Sequence, residues 1–163
     1  MIRPKALNRA ALKAFPLPPV VDGDKETKGR ILVIAGSREV AGAAILTATA
    51  AMRAGAGKLR MITVEGVAIP TGLAMPEAMV VGLPDARDGG FTRGAVRAIR
   101  EQAERVDVVV AGPGMAQART CEAIAQTLLE SSANVVLDEA LLLAVDVVQV
   151  EPDSLAGATT WSG

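Results

Sequence analysis

The residues of this chain that could do chemistry gather in three short words. Gly36-Ser37 closes one apolar run and is followed by Gly42-Ala43-Ala44; Gly112-Pro113-Gly114 closes a second run, and Asp138 closes a third. Glycine turns that lead into helices can offer backbone N–H groups and a helix N-terminus to an anion. The first word fits neither standard phosphate fingerprint, because GxGxxG is absent and no Lys-Ser/Thr follows Gly42. A tight strand-to-helix turn explains the same spacing, and Gly112-Pro113-Gly114 also reads as a rigid turn. Asp138 suits a site at a strand end, or equally a cap for a helix over residues 139–144. Cys121 reads as an inert core thiol in mid-helix. Lys28-Gly29 reads as a loop tip or a phosphate contact.

Composition removes whole classes of function. The 163 residues contain no histidine, which excludes a Ser-His-Asp triad, a Cys-His pair and any histidine-bearing zinc site. One cysteine makes neither an internal disulfide nor a CxxC pair. A net charge of −1, with Phe15, Phe91 and Trp161 as the whole aromatic set, gives no footprint for nucleic acid. No apolar run approaches the roughly 20 residues of a membrane span. Arg3, Lys5, Arg9 and Lys13 near the start lack acidic neighbours, but the prolines at 16, 18 and 19 break any targeting h-region. A cytoplasmic protein is the expectation.

These words need elements to hold them. Ile31 to Ala35, Lys58 to Val64, Ala78 to Leu83, Asp107 to Ala111 and Asn134 to Leu137 read as strands, with Val145 to Val150 as one more. Helices are expected from Gly42 to Ala54, from a Thr92 cap to about Arg105, and from Gln117 to Ser131. Strands alternating with helices imply an α/β fold: three layers, a mostly parallel central sheet flanked by helices. No internal repeat is visible. Residues 1–27 read as a helix and Pro-rich connector, 28–150 as the α/β body and 151–163 as a tail. Ligands in such sheets collect beyond the carboxyl ends of the strands, where all three words fall.

Taken in order, Lys28-Gly29, ILVIAGS (31–37), GAAILTATAAMRAGAGKLRM (42–61), MPEAMV (75–80), VVVAGPGMA (108–116) and NVVLDEALL (134–142) resemble the ADP/ATP-dependent NAD(P)H-hydrate dehydratases. These are ribokinase-like proteins, also described as YjeF C-terminal-type carbohydrate kinases. The resemblance implies a lyase that uses ADP or ATP with Mg²⁺ to phosphorylate hydrated NADH or NADPH, after which phosphate is eliminated to restore the dinucleotide. It also implies a substrate face made from Gly42, Ala43, Gly112, Gly114 and Asp138, with Glu77 lining or bracing the same cleft.

The resemblance stops after the VVLD strand. Family members continue with a TPHxGE-like segment, a Lys-Gly nucleotide loop and an N-x-G-T-G-D loop that supplies the base and the anion hole. Here only Pro152 fits, Asp153 stands where the histidine should be, and neither loop is among the 163 residues. The resemblance therefore assigns no catalytic and no metal-ligating residue to this chain. The expectation is the N-terminal half of such an enzyme, inactive alone, with an open sheet edge that drives homo-oligomerisation. Two other readings compete: a non-catalytic, self-associating binding or scaffold protein, and an ordinary nucleotide-binding Rossmann domain. The missing GxGxxG weakens the second of these.

Overall fold

The structure, a computed structural model, describes residues 29–145 and 158–160, with Asn8, Arg9 and Lys13 as isolated positions. The expected N-terminal helix and connector, and positions 146–150 of the last expected strand, lie outside the described residues. Among the described residues five helices and six strands follow one another: β1 (Arg30–Ile34), α1 (Ala41–Arg53), β2 (Lys58–Val64), α2 (Glu65–Ala74), β3 (Met79–Leu83), α3 (Ala95–Ala103), β4 (Val108–Ala111), α4 (Cys121–Leu129), β5 (Asn134–Leu137), α5 (Glu139–Ala144) and β6 (Ala158–Thr160). The strands form one sheet in the order β3-β2-β1-β4-β5-β6, and every pairing is parallel. The expected α/β architecture stands. β6, which extends the sheet beside β5, falls in the segment read as a tail.

Alternation along β1 divides the core. Leu32 and Ile34 point into the larger cluster with Phe91, Ile99, Ile124 and Leu128, whereas Val33 and Ala35 point into a smaller one with Ala44, Ala48 and Met61. A strand covered on both faces has to be apolar on both, which is why Ile31 to Ala35 shows no polar alternation. Small residues on α1 let that helix sit close to the sheet.

Helix α2 was invisible to periodicity, because Gly66, Pro70 and Gly72 dilute its pattern. Topology requires it: two parallel neighbouring strands need a crossover, and a helix is the usual one. Helices α3 and α4 are shorter than expected, while α1 and α5 keep their expected lengths. Gly94, not Thr92, holds the N-cap of α3, and Thr92 contributes only its carbonyl to the Ala95 N–H at 3.0 Å. Residues 117–120 form the approach to α4 rather than its first turn.

At the amino edge of the sheet, Arg30 and Asp107 join β1 to the start of β4. The Arg30 guanidinium donates to Asp107 at 2.8 and 3.3 Å, and its backbone N–H at 2.7 Å. Those hydrogen bonds, the guanidinium's first, hold the Asp107 carboxyl below the usual carboxylate range.

Candidate functional site

The strand order reverses between β1 and β4. The chain winds outward one way through β2 and β3 and the other way through β5 and β6. Such a switch point leaves a crevice at the carboxyl ends of the two central strands, because their following connections depart to opposite sides. Gly36-Ser37 leaves β1 there and Gly112-Pro113-Gly114 leaves β4 there.

The backbones of these turns are stitched together. The Gly36 N–H donates to the Pro113 carbonyl at 2.8 Å, the Gly112 N–H to Ile34 at 3.0 Å and the Asp138 N–H to Ala111 at 2.9 Å. Two glycines make the approach possible. Gly112 has φ +124°, and a Cβ there would run into the Asp138 carbonyl. Gly114 has φ +64°, and its Cβ would collide with the Ala43 methyl and lie 3.1 Å from the Val40 carbonyl oxygen. L side chains rarely adopt either conformation. The three words singled out in the sequence therefore converge on one corner: Gly112 lies against Asp138, and Gly114 against the first turn of α1.

That first turn is suited to negative charge. Val40 is its N-cap, no side chain caps it, and it contains no acid. Its positive end is therefore not neutralised from within the helix. The Ser37 hydroxyl accepts the Val40 N–H at 3.2 Å, which shapes the approach to the helix. Asp138 occupies the N-cap position of α5, but its carboxylate makes no capping bond; the Leu141 N–H goes to its backbone carbonyl at 3.2 Å. The half-buried carboxylate is thus not spent on the helix, and it is the Asp138 backbone that lies against Gly112.

Glu77 does not join this site. It is exposed two residues before β3 begins, so it lies at the amino edge of the sheet, the opposite end from the corner. The parallel direction of every strand forces this. Cys121 is buried at the first position of α4, not in mid-helix; its thiol donates to the Ala116 carbonyl and accepts the Ala118 N–H, both at 3.5 Å.

Sequence reading missed three contributors. Thr63 is fully buried, its hydroxyl has no hydrogen-bond partner among the described residues, and it sits behind Gly36. Its signal was a lone hydroxyl among the apolar residues ending β2. Arg38 and Asp85 pair across the site's rim, and no local pattern announces a tertiary ion pair. A cavity of about 620 Å³ lies between the 86–93 segment and the start of α4, lined in part by Phe91, Thr92 and Gln126; it shares no lining residue with the corner.

ADP or ATP with Mg²⁺ can be tested against these residues. No group of three metal-ligating side chains exists among the described residues, and the corner contributes Asp138 alone. A magnesium ion there would depend on nucleotide phosphates for its remaining ligands. No step is derived through it.

Comparison with known proteins follows the same outline. The family model described as NAD(P)H-hydrate dehydratase matches residues 31–155. An ADP-dependent (S)-NAD(P)H-hydrate dehydratase from Xanthomonas campestris is 43% identical over 141 residues, covering 86% of this chain and 48% of that protein. A ribokinase-like superfamily protein from Enterococcus faecalis superposes with a TM-score of 0.70 at 24% identity, over 88% of this chain and 48% of its own. An ADP/ATP-dependent NAD(P)H-hydrate dehydratase from Bacillus subtilis, co-crystallised with ATP and Mg²⁺, superposes with a TM-score of 0.61 at 26% identity, over 83% of this chain and 46% of its own. The chain spans about half the length, or less, of the curated relatives it matches.

Proposed function

The chain belongs to the NAD(P)H-hydrate dehydratase family, and from that premise we propose that its carboxyl-edge corner is the wall that meets hydrated NADH or NADPH in the cytoplasm. The observation that carries this reading is the convergence of Gly112, Gly114, Ala43 and Asp138 at the switch point. In the proposed role, Gly42, Ala43 and Gly114 offer peptide groups and a smooth surface to the dinucleotide, and the positive end of α1 favours its phosphates. Gly112 sets the turn, and Asp138 accepts a hydrogen bond from a substrate hydroxyl.

Turnover by phosphorylation and elimination asks for more. General-base help is worth about 10²–10⁴-fold, and phosphoryl transfer depends on positioned donors and metal. At this corner the described residues supply one carboxylate and backbone amides. We therefore assign the chain to binding rather than turnover. Calorimetry with hydrated NADPH, NADPH and ADP tests this: the hydrate binds, and a coupled assay with ATP and Mg²⁺ shows no regeneration of NADPH. Enzyme-like rates, or silence towards the hydrate, overturn the assignment.

A second reading rests on a separate observation. Leu46, Ile69, Leu73 and Met79, on α1, α2 and β3, are exposed large apolar side chains. Apolar surface of this kind supports self-association, with or without ligand binding. Light scattering at micromolar concentration should report a dimer or larger, and a monomer removes that reading. No described helix is long and apolar enough to cross a membrane.

A further inference from the structure

Arg38 and Asp85 lie in the loops that follow β1 and β3, two strands that never touch because β2 runs between them. Two inter-strand spacings, roughly 10 Å, separate those strands. The ion pair therefore straps the rim across the carboxyl end of β2. Its two ends differ: the Asp85 side chain is 12% exposed and that of Arg38 55%. The Asp85 Oδ2 is buried with no hydrogen-bond partner among the described residues, so the charge of Arg38 beside it is what offsets its withdrawal from water, and the pair acts as a constraint.

The anchor side of the strap is the firmer one. Asp85 bridges Phe91 through the backbone, and the loop is closed by Ala86 N–H to Gly90 at 2.7 Å and Thr92 N–H to Pro84 at 3.0 Å. The other side is a short loop held within itself by the Ser37–Val40 bond. Two residues beyond Arg38, the Val40 carbonyl accepts the Ala43 N–H at 3.3 Å and stands beside Gly114. Whatever fixes Arg38 thus fixes the height of the first turn of α1 against the Gly112–Gly114 turn.

We infer that Arg38 and Asp85 are positioning residues for the substrate wall: their pair sets the spacing between Ala43 and Gly114 that a dinucleotide hydrate must match. The inference rests on the substrate reading above, and neither side chain is assigned contact with substrate. Removing the pair lets the β1 loop drift without touching the sheet.

The test uses the full chain with Asp85→Asn, Arg38→Gln and the conservative Asp85→Glu. In the ligand-free protein, amide exchange at Ala43 and Ala44 should quicken at least about fivefold in the first two variants, while the amides of β4 and β5 stay protected. Hydrate binding should weaken about tenfold, as misplacement of a binding surface does. Asp85→Glu should restore both. Unchanged exchange at Ala43 and Ala44 overturns the inference, and so does exchange that quickens throughout the sheet. If Asp85→Asn does not fold, Arg38→Gln, altered at the exposed end, decides alone. A wild-type chain that ignores the hydrate defeats the substrate reading, while the exchange result still decides whether the pair positions this corner.

Discussion

The two edges of the sheet are joined by different chemistry. At the amino edge, charged side chains reinforce the backbone link between β1 and β4: the Asp107 N–H donates to the Arg30 carbonyl at 2.9 Å, the Arg30 guanidinium donates to the Asp107 carboxylate, and each side chain is 47% exposed. At the carboxyl edge the same two strands are linked by backbone, with peptide groups of Gly36, Pro113, Gly112 and Ile34 bonded directly and no side chain between them. Long side chains hold strands in register while water stays close, and they tolerate replacement. Where backbone approaches as closely as at Gly112 and Gly114 no Cβ fits, so those positions demand glycine and leave rigid peptide groups in the turn. The first arrangement suits a structural margin and the second suits a ligand.

Substitutions can sharpen or break that contrast, and the largest effect belongs to Gly112. Gly112→Ala brings both a forbidden φ and a collision with the Asp138 carbonyl, and should cost about 3 kcal/mol or more in urea unfolding. A loss below about 1 kcal/mol would mean that the corner yields easily and is no rigid wall. Gly42 is the control within the same site, since a Cβ there meets nothing within 4 Å. Gly42→Ala should stabilise the protein by about 0.5–1 kcal/mol, the usual gain for alanine over glycine in a helix. Weaker hydrate binding by that stabilised variant would place substrate against the first turn of α1; unchanged binding would remove Gly42 from the wall.

The smallest effect belongs to the amino edge. Asp107→Asn should cost no more than about 1 kcal/mol at neutral pH, because solvent screens a pair this exposed. Its pH dependence has a definite sign. The folded-state carboxyl titrates below its ordinary 3.8, so its stabilisation is present above that value and is lost as pH falls through the lowered one. Wild type and Asp107→Asn should therefore differ at pH 7 and converge in acid, as read from unfolding midpoints. A gap that does not shrink at all as pH falls below the ordinary carboxylate range would show that the carboxylate's charge is not what Arg30 uses.

Much of this molecule was legible in local pattern. Ile31 to Ala35 could only be a strand covered on both faces, and Gly55 and Gly57 marked where α1 had to end. The glycine words were visible too, though tight packing and anion binding explained them equally well. Glu77 was misplaced because its association with the other words came from their order along the chain, and order does not say which end of a strand a residue occupies. Helix α2 escaped because glycine and proline blurred a pattern that the crossover itself requires. Arg38 and Asp85 escaped because 47 residues separate them and their meeting depends on strand order.

The sequence by itself determined the alternation of strands and helices and the positions where only glycine would serve, since both follow from steric and hydrophobic preferences acting over a few residues. The tertiary structure alone decided that Gly112 lies against Asp138, that Gly114 meets Ala43, and that Arg38 finds Asp85. Those meetings are set by which strands become neighbours, and that choice minimises the exposed apolar surface of the whole chain rather than of any one segment.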